Sequence, residues 1–225
     1  AGFSVVEESG RVTLTRAKTV EFPQVYLKES SVTATENALI LFSALGKGLI
    51  ENPAREPHGL TLIQFLRELG CQIELHPLYY RIQTGPTDQN NELSFRIPAD
   101  YIDAGTIAIA AAVTGGKVDL LGVTREDFLP IQNIFERFLV KFDKPSSDVI
   151  QVAGESLSNP PQVTAGLWPS FPTDLVSLAI VLATQGKGPC LIHDWMYEAR
   201  MFFIDKLVRM GAAITMCDPH RVVVE

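Results

Sequence analysis

One carboxylate in this sequence has surroundings suited to chemistry: Asp174, at the end of the segment Trp168-Pro169-Ser170-Phe171-Pro172-Thr173-Asp174. The apolar run 175–183 follows at once. It is too short to span a bilayer and therefore indicates a buried helix. Local pattern favours a helix N-cap, in which an oxygen of Thr173 or Asp174 accepts from free backbone N–H groups of the first turn. The alternative is a functional carboxylate, delivered to the mouth of a core helix by a loop that two prolines stiffen.

The three cysteines predict no metal or disulfide chemistry. The sequence contains an odd number of cysteines, and none has the CxxC or Cys/His spacing of metal ligands: Cys71, Cys190 and Cys217. A reducing cytoplasm fits them best, and we expect no metal and no cofactor. Residues 1–8 contain neither a basic segment nor a long apolar one, so we expect a trimmed N-terminus and no targeting signal.

Composition predicts an ordinary soluble globular protein. The 225 residues are 46% hydrophobic, which is enough for one large domain or two small ones. The net charge of -7 comes from 26 acidic and 19 basic residues, without a basic block. Nucleic acid and anionic membranes are therefore not expected as partners, and any phosphate ligand must be bound by local Lys and Arg side chains.

The elements that would position Asp174 recur along the chain. Breaks made of glycine and lysine begin at residues 46, 115 and 186, spaced by 69 and 71 residues, and each follows a predicted apolar helix. Helices and strands alternate in the same order around each break. The predicted ranges are 38–45 (the body of the first helix), 49–50, 60–69 and 71–75; then 104–114, 118–121 and 128–140; then 175–183, 190–192, 203–210 and 214–216. Such a period indicates an internally repeated supersecondary unit.

Further strands complete the predicted repeat. A hairpin is predicted around Ser9-Gly10, strand 79–82 is expected to pair with 93–97, and 149–152 is another strand. A capping box at Thr33-Ala34-Thr35-Glu36 is expected to begin the first helix. The expected fold class is therefore α/β (α+β), built from βαβαββ units, with a boundary between two parts near Ile97.

Several motifs resemble those of the enolpyruvyl transferases, in family order along almost the whole chain. They are Ser31-Val32-Thr33-Ala34-Thr35-Glu36-Asn37, Glu51-Asn52-Pro53-Ala54-Arg55-Glu56-Pro57, Asp103-Ala104-Gly105-Thr106, Phe171-Pro172-Thr173-Asp174, Tyr197-Glu198-Ala199-Arg200 and Arg209-Met210-Gly211-Ala212. The resemblance implies inside-out α/β barrel lobes with helices inside and sheets outside. Residues 1–97 would belong to one lobe and 98–225 to the other, with the substrates in the cleft.

The resemblance also implies a reaction and roles for residues. The enolpyruvyl group of phosphoenolpyruvate would pass to the 3-hydroxyl of UDP-N-acetylglucosamine, the first committed step of peptidoglycan synthesis. Asp174 matches the aspartate that takes the proton of this hydroxyl, a role typically worth about 10² to 10⁴-fold in rate. Met196 matches a residue whose backbone contacts the nucleotide sugar, while Ser31 and Val32 match a backbone segment that holds the uridine nucleotide.

Four charged residues match family positions near the cleft. Arg55 and Arg200 match arginines that could pair with a carboxylate or phosphate, and the alternative for both is an exposed salt bridge. Glu56 and Asp100 match acidic residues that line the cleft. The sequence departs from the family pattern at Glu29, Thr33, His58 and Tyr101, and we expect His58 to be a surface residue at a helix start.

Other catalytic parts of the family have no counterpart in these residues. The resemblance places a general acid, a cysteine or aspartate on a mobile loop, and a Lys-Asn pair upstream, and phosphate-binding Asp and Arg residues downstream. None of the three cysteines is expected to replace the loop cysteine, so the chain is expected to be the middle of an enzyme. Two alternatives stay open: the sister transferase that acts on shikimate 3-phosphate, and a non-catalytic repeat module that binds a nucleotide sugar or a protein.

Overall fold

The computed structural model describes residues 3–16, 21–87, 93–146 and 149–225. The chain divides into two compact units, Ala1–Ile97 and Pro98–Glu225. Each unit has its own apolar core of buried side chains. That each unit is part of one transferase lobe stays a prediction.

The first unit contains the predicted hairpin and one complete βαβαββ repeat. The hairpin consists of β1 (Phe3–Glu8) and β2 (Arg11–Arg16), and its turn lies at Ser9 and Gly10, where φ is positive. The repeat consists of β3 (Gln24–Tyr26), α1 (Val32–Leu45), β4 (Gly48–Glu51), α2 (Pro57–Glu68), β5 (Gln72–His76) and β6 (Tyr79–Thr84). Its sheet has the order β3-β4-β6-β5, in which β3 and β4 are parallel and the other neighbours antiparallel.

The strand predicted at residues 93–97 is wrong. These residues form neither helix nor strand. Their expected partner, β6, lies between β4 and β5 and is hydrogen-bonded to both. Because a strand has only two hydrogen-bonding edges, β6 has no edge left for a third partner.

The predicted capping box is also wrong, because α1 begins two residues earlier than expected. Ser31 is the N-cap, and its Oγ accepts from the backbone N–H of Ala34 at 3.3 Å. Thr35 is buried and has a different role: its hydroxyl donates to the carbonyl oxygen of Ser31 at 2.8 Å and accepts from the N–H of Ala54 at 2.8 Å. Thr35 thus joins the start of α1 to the loop that precedes α2.

The second unit contains the two later passes of the repeat. The first of them consists of α3 (Tyr101–Thr114), β7 (Lys117–Leu121), α4 (Arg125–Arg137), β8 (Lys141–Ser146) and β9 (Val149–Ala153). The last consists of β10 (Gln162–Thr164), α5 (Val176–Ala183), β11 (Cys190–His193), α6 (Ile204–Arg209), β12 (Ile214–Asp218) and β13 (Arg221–Val224). The sheets have the orders β7-β9-β8 and β10-β11-β13-β12, and the latter repeats the order of the first unit.

Most predicted boundaries differ from the observed ones by at most three residues. The largest displacement of a whole element is α4, which begins and ends three residues before the predicted range 128–140. Thr124 causes the early start, because its hydroxyl oxygen accepts from the N–H of Asp127 at 3.2 Å. Leu139 causes the early end, because its φ of 63° is outside the range of a right-handed helix.

The packing of α3 leads directly to the segment that carries Asp174. Residues 173–175 form a 3-10 turn immediately before α5. A Cβ atom at Gly105 of α3 would lie 2.7 Å from Cδ1 of Leu175, which is fully buried, and 3.2 Å from Cδ1 of Ile131. The absence of a side chain at Gly105 therefore allows α3 to lie close to this turn.

Replacing Gly105 with alanine is expected to destabilise the second unit by about 1–3 kcal/mol, because the added methyl group overpacks this contact. Urea unfolding followed by tryptophan fluorescence measures the effect, since both tryptophans, Trp168 and Trp195, lie in this unit. Thr106→Ala is the control: it changes the next residue of α3, which is exposed, and is expected to alter stability by no more than about 0.5 kcal/mol. Equal unfolding midpoints for Gly105→Ala and the unmodified chain would contradict the prediction.

Candidate active site

The loop between β10 and α5 is held in place by aromatic side chains. The ring of Trp168 meets the ring of Tyr101 edge-to-face at 5.6 Å, and the buried Phe171 meets Phe135 of α4 at 6.1 Å. The N–H of Gly166 donates to the carbonyl oxygen of Phe171 at 3.0 Å, which closes the loop. Two anchored aromatic residues therefore determine where the following Thr-Asp pair emerges.

The interpretation of Thr173 or Asp174 as a helix cap is wrong. Neither side chain caps the 3-10 turn or α5. The hydroxyl of Thr173 instead donates to Oδ2 of Asp194. The carboxylate of Asp174 is 59% exposed, and its Oδ1 accepts from Nη2 of Arg200 at 2.5 Å. The two side chains are thus committed to partners from the segment that follows β11.

Arg200 is restrained on several sides. It lies in a second 3-10 turn, Glu198–Met201, whose Met201 side chain is fully buried. Arg200 is bonded to Asp174 and also lies near Asp194, with 3.9 Å between Nε of Arg200 and Oδ2 of Asp194. Its guanidinium carbon lies 4.9 Å from the centre of the Tyr197 ring, which is a cation–π contact. Asp174 and Arg200, 26 residues apart in sequence, therefore form one charged pair, and the predicted binding role of Arg200 stays a prediction.

Asp194 is the residue of this cluster that the sequence analysis missed. It directly follows β11, and its side chain is 0% exposed. Its Oδ1 accepts from the backbone N–H of Met196 at 3.0 Å. A sequence signal for Asp194 was available, because this carboxylate directly follows a buried strand. The parallel strands β10 and β11 both end at this edge of the sheet, and such edges are common places for ligand sites.

Met196 is half-buried beside this carboxylate. Its backbone N–H is already engaged with Asp194, so its carbonyl is the part of the backbone available to a nucleotide sugar. The contact with a nucleotide sugar stays a prediction.

The other predicted residues of the second unit lie at the start of α3. Asp100 is the N-cap of α3: its Oδ1 accepts from the N–H of Ile102 at 2.7 Å and of Asp103 at 3.4 Å. Its side chain is exposed, and its predicted substrate contact stays a prediction. Tyr101, one of the departures from the family pattern, is 5% exposed and packs against Trp168.

The first unit brings the remaining predicted residues together at the N-terminal ends of α1 and α2. The loop containing Ser31 and the loop before α2 are bonded to each other, since the hydroxyl of Ser30 donates to the carbonyl oxygen of Pro53 at 2.8 Å. Ser31 and Val32 begin α1, and Arg55 and Glu56 directly precede α2. These four residues therefore share one end of the unit.

Arg55 and Glu56 differ in environment although they are adjacent. Arg55 is exposed, and its charge lies near the phenol of the buried Tyr80. Burial raises the pKa of Tyr80, and Arg55 opposes that rise. Glu56 is half-buried, and its Oε2 has no hydrogen-bond partner among the described residues. His58, in the first turn of α2, is exposed as predicted.

Only one of the three cysteines, Cys217, is accessible. It lies exposed in β12, whereas Cys71 and Cys190 are buried. Burial raises the pKa of the Cys190 thiol to about 11, and the charge of Arg137 opposes the rise only partly. Cys190 therefore contains very little reactive thiolate near neutral pH.

One thiol of the folded chain is expected to react rapidly with Ellman's reagent at pH 8, and all three in denaturant. The fast reaction belongs to Cys217, because a buried thiol has neither access to the reagent nor, at Cys190, an appreciable thiolate fraction. Cys217→Ala is expected to abolish the fast reaction, and Cys190→Ala to leave it unchanged. Rapid release of two or three equivalents by the folded chain would contradict this assignment.

The described ranges contain neither a group of metal ligands nor a membrane-spanning helix. No three His, Cys, Asp or Glu side chains there form a group that could hold a metal ion. Among the helices that the structure describes, none combines the length and the apolar character needed to cross a membrane.

Comparisons with known proteins identify relatives of nearly the whole chain. A family model for EPSP synthase (3-phosphoshikimate 1-carboxyvinyltransferase) matches residues 4–223. The UDP-N-acetylglucosamine 1-carboxyvinyltransferase of Borrelia garinii is 37% identical over 99% of this chain and 54% of its own length. The protein of the same name from Bradyrhizobium diazoefficiens is 39% identical over 93% of this chain and 50% of its own length. The chain thus spans about half the length of the curated relatives it matches.

A solved structure shows the same fold. The enolpyruvyl transferase NikO from Streptomyces tendae matches with a TM-score of 0.81 at 20% identity, covering 100% of this chain and 55% of that one. This likeness confirms the expected fold class of repeated βαβαββ units of the enolpyruvyl transferase type. Together with the family match over residues 4–223, it shows that the chain belongs to the EPSP synthase family of enolpyruvyl transferases.

Proposed function

We propose that the complete protein transfers the enolpyruvyl group of phosphoenolpyruvate to the 3-hydroxyl of UDP-N-acetylglucosamine, and that this chain supplies the base. The observation that carries the proposal is the Asp174–Arg200 pair, an exposed carboxylate held by a guanidinium. The names of the relatives at 37% and 39% identity support these substrates. We propose further that the enzyme works in the cytoplasm, in peptidoglycan synthesis and cell wall biogenesis.

The proposed reaction proceeds by addition and then elimination. The acceptor oxygen bonds to C2 of phosphoenolpyruvate while C3 gains a proton and the hydroxyl proton passes to Asp174, giving a tetrahedral ketal. Loss of phosphate from C2 and of a proton from C3 then yields the enolpyruvyl ether. Because a carboxylate is a weak base toward an alcohol, Asp174 acts as C–O bond formation acidifies the hydroxyl. No residue of this chain is assigned to the acid that protonates C3.

The proposed substrate contacts follow from charge and helix geometry. Ser31 and Val32 lie at the N-terminal end of α1, and helix N-termini favour anions such as the phosphates of a nucleotide. Arg55 and Arg200, the latter already bonded to Asp174, are the cations that we assign to phosphate or carboxylate groups of the substrates. Met196 offers its backbone carbonyl to the sugar, and Glu56 and Asp100 offer oxygen acceptors to its hydroxyl groups.

The second candidate is transfer to shikimate 3-phosphate, which is favoured by the description of the matching family model. The third is a binding module without chemistry.

Phosphate release separates the three candidate functions. It is measured on the complete gene product that contains these 225 residues, with phosphoenolpyruvate and each acceptor in turn. Of the two acceptors, we expect only UDP-N-acetylglucosamine to give phosphate release. We expect the variants Cys71→Ala, Cys190→Ala and Cys217→Ala to retain this activity.

Every outcome of this assay is informative. Release only with shikimate 3-phosphate would replace the proposed acceptor by that of the sister enzyme. A folded protein that releases no phosphate with either acceptor would contradict both transferase activities and favour the binding module.

A further inference from the structure

A single buried carboxylate contacts both the turn that contains Asp174 and the segment that contains Met196 and Arg200. Oδ2 of Asp194 accepts the hydroxyl of Thr173, the neighbour of Asp174, and Oδ1 accepts the N–H of Met196. The guanidinium of Arg200 lies 3.9 Å away. Burying a carboxylate with 0% exposure is costly unless it is paired and hydrogen-bonded, so these partners offset the cost of burying Asp194.

Asp194 restricts the direction in which Arg200 points. The guanidinium is planar, and its Nε faces Asp194 while its Nη2 donates to Asp174. An ion-pair contact at one edge of this rigid plane restrains where the other edge lies. The ring of Tyr197 limits movement out of that plane.

Asp194 is itself held by the turn between β12 and β13. Its backbone N–H donates to the carbonyl oxygen of His220 at 2.9 Å. Its own carbonyl oxygen lies 2.7 Å from Nδ1 of His220. Since a carbonyl only accepts hydrogen bonds, Nδ1 of His220 is the donor. A group bonded on both sides of its backbone is a rigid support for its neighbours, as an aligned site requires.

We propose that Asp194 is a positioning residue: it aligns Arg200 and Thr173, and through them the carboxylate of Asp174, without contacting substrate. The proposal rests on the proposed function, in which Asp174 takes the proton of the acceptor. The complete burial of the Asp194 side chain separates its role from that of Asp174, which is 59% exposed.

A double-mutant cycle on the complete gene product tests the proposal. Asp194→Asn keeps the size of the side chain but removes its charge and one acceptor oxygen. We expect kcat to fall on the order of 10²-fold, because the base is misplaced, while KM for UDP-N-acetylglucosamine changes far less. In the Asp174→Asn background the same replacement is expected to have almost no further effect, because the group that it aligns is already gone. An equal fall in both backgrounds, or no fall in either, would overturn the proposal.

A control variant separates alignment from general destabilisation. Val152→Ala removes two methyl groups from a fully buried side chain of β9, outside the cluster. It is expected to weaken the fold but to leave kcat per folded molecule unchanged. If Val152→Ala and Asp194→Asn lower kcat alike, the effect of Asp194 is only structural.

A second measurement needs no reaction and therefore distinguishes failure of this inference from failure of the proposed function. The ¹⁵Nε–H signal of Arg200, assigned by its loss in Arg200→Lys, reports the order of the guanidinium. We expect its order parameter to fall in Asp194→Asn and to stay constant in Val152→Ala. If the unmodified enzyme releases no phosphate, the proposed function fails, while an unchanged order parameter in Asp194→Asn would overturn the inference itself.

Discussion

Replacing Asp174 with asparagine is expected to lower kcat by about 10² to 10⁴-fold, the usual contribution of a general base. Asparagine has nearly the same size, but its amide does not accept the hydroxyl proton and does not carry the charge that pairs with Arg200. Stability is expected to change by no more than about 1 kcal/mol, because the carboxylate is 59% exposed and exposed ion pairs contribute little. Steady-state phosphate release and urea unfolding of the same preparation measure both quantities.

The control for this prediction is another aspartate–arginine pair in the same unit. Asp205 of α6 lies 3.1 Å from Arg209 and is 67% exposed. Asp205→Asn therefore removes a comparable surface pair and is expected to leave kcat unchanged. Near-normal turnover of Asp174→Asn would exclude Asp174 as the base. An equal loss in Asp205→Asn would attribute the effect to surface charge.

Replacing Phe135 with alanine is expected to destabilise the second unit by about 3–5 kcal/mol, the cost of removing a large aromatic side chain from a core. Phe135 is fully buried in α4, and its ring contacts those of Phe142 and Phe171. Since Phe171 belongs to the loop that carries Asp174, the same cavity is expected to loosen the site. Urea unfolding followed by the fluorescence of Trp168 and Trp195 reports the second unit alone.

Phe202→Ala provides the matched control for Phe135→Ala. Phe202 is 71% exposed, so its removal leaves no cavity, and its expected effect is within about 0.5 kcal/mol. Similar shifts of the unfolding midpoint for both variants would contradict the assignment of Phe135 to the core.

Element types and their order were predictable because they depend on local pattern. Apolar runs ended by glycine predicted α1, α3 and α5, and left-handed backbone conformations at Gly46 and Gly115 explain two of those endings. The start of α1 was missed by two residues because Ser31 and Thr33 both have a hydroxyl group that can cap a helix. Thr35 of the expected capping box is instead bonded to Ala54, a contact between distant parts of the sequence.

Strand pairing was less predictable than strand existence. The strand predicted at 79–82 correctly indicated β6, but nothing local states which strands occupy its two edges. The pairing of β6 with β4 joins residues about 30 positions apart, so no local pattern states it. This is why residues 93–97 were wrongly assigned as a partner.

The sequence by itself determined the repeat, the identity of most helices and strands, and the motif that contains Asp174. Only the tertiary structure decided what Asp174 does locally: it is bonded to Arg200 and is not a helix cap. Only the tertiary structure revealed Asp194, whose partners Thr173, Met196 and Arg200 lie on both sides of it in the chain. The reason is physical. A cap needs only neighbouring backbone, whereas a buried carboxylate needs partners that folding alone brings within hydrogen-bonding distance.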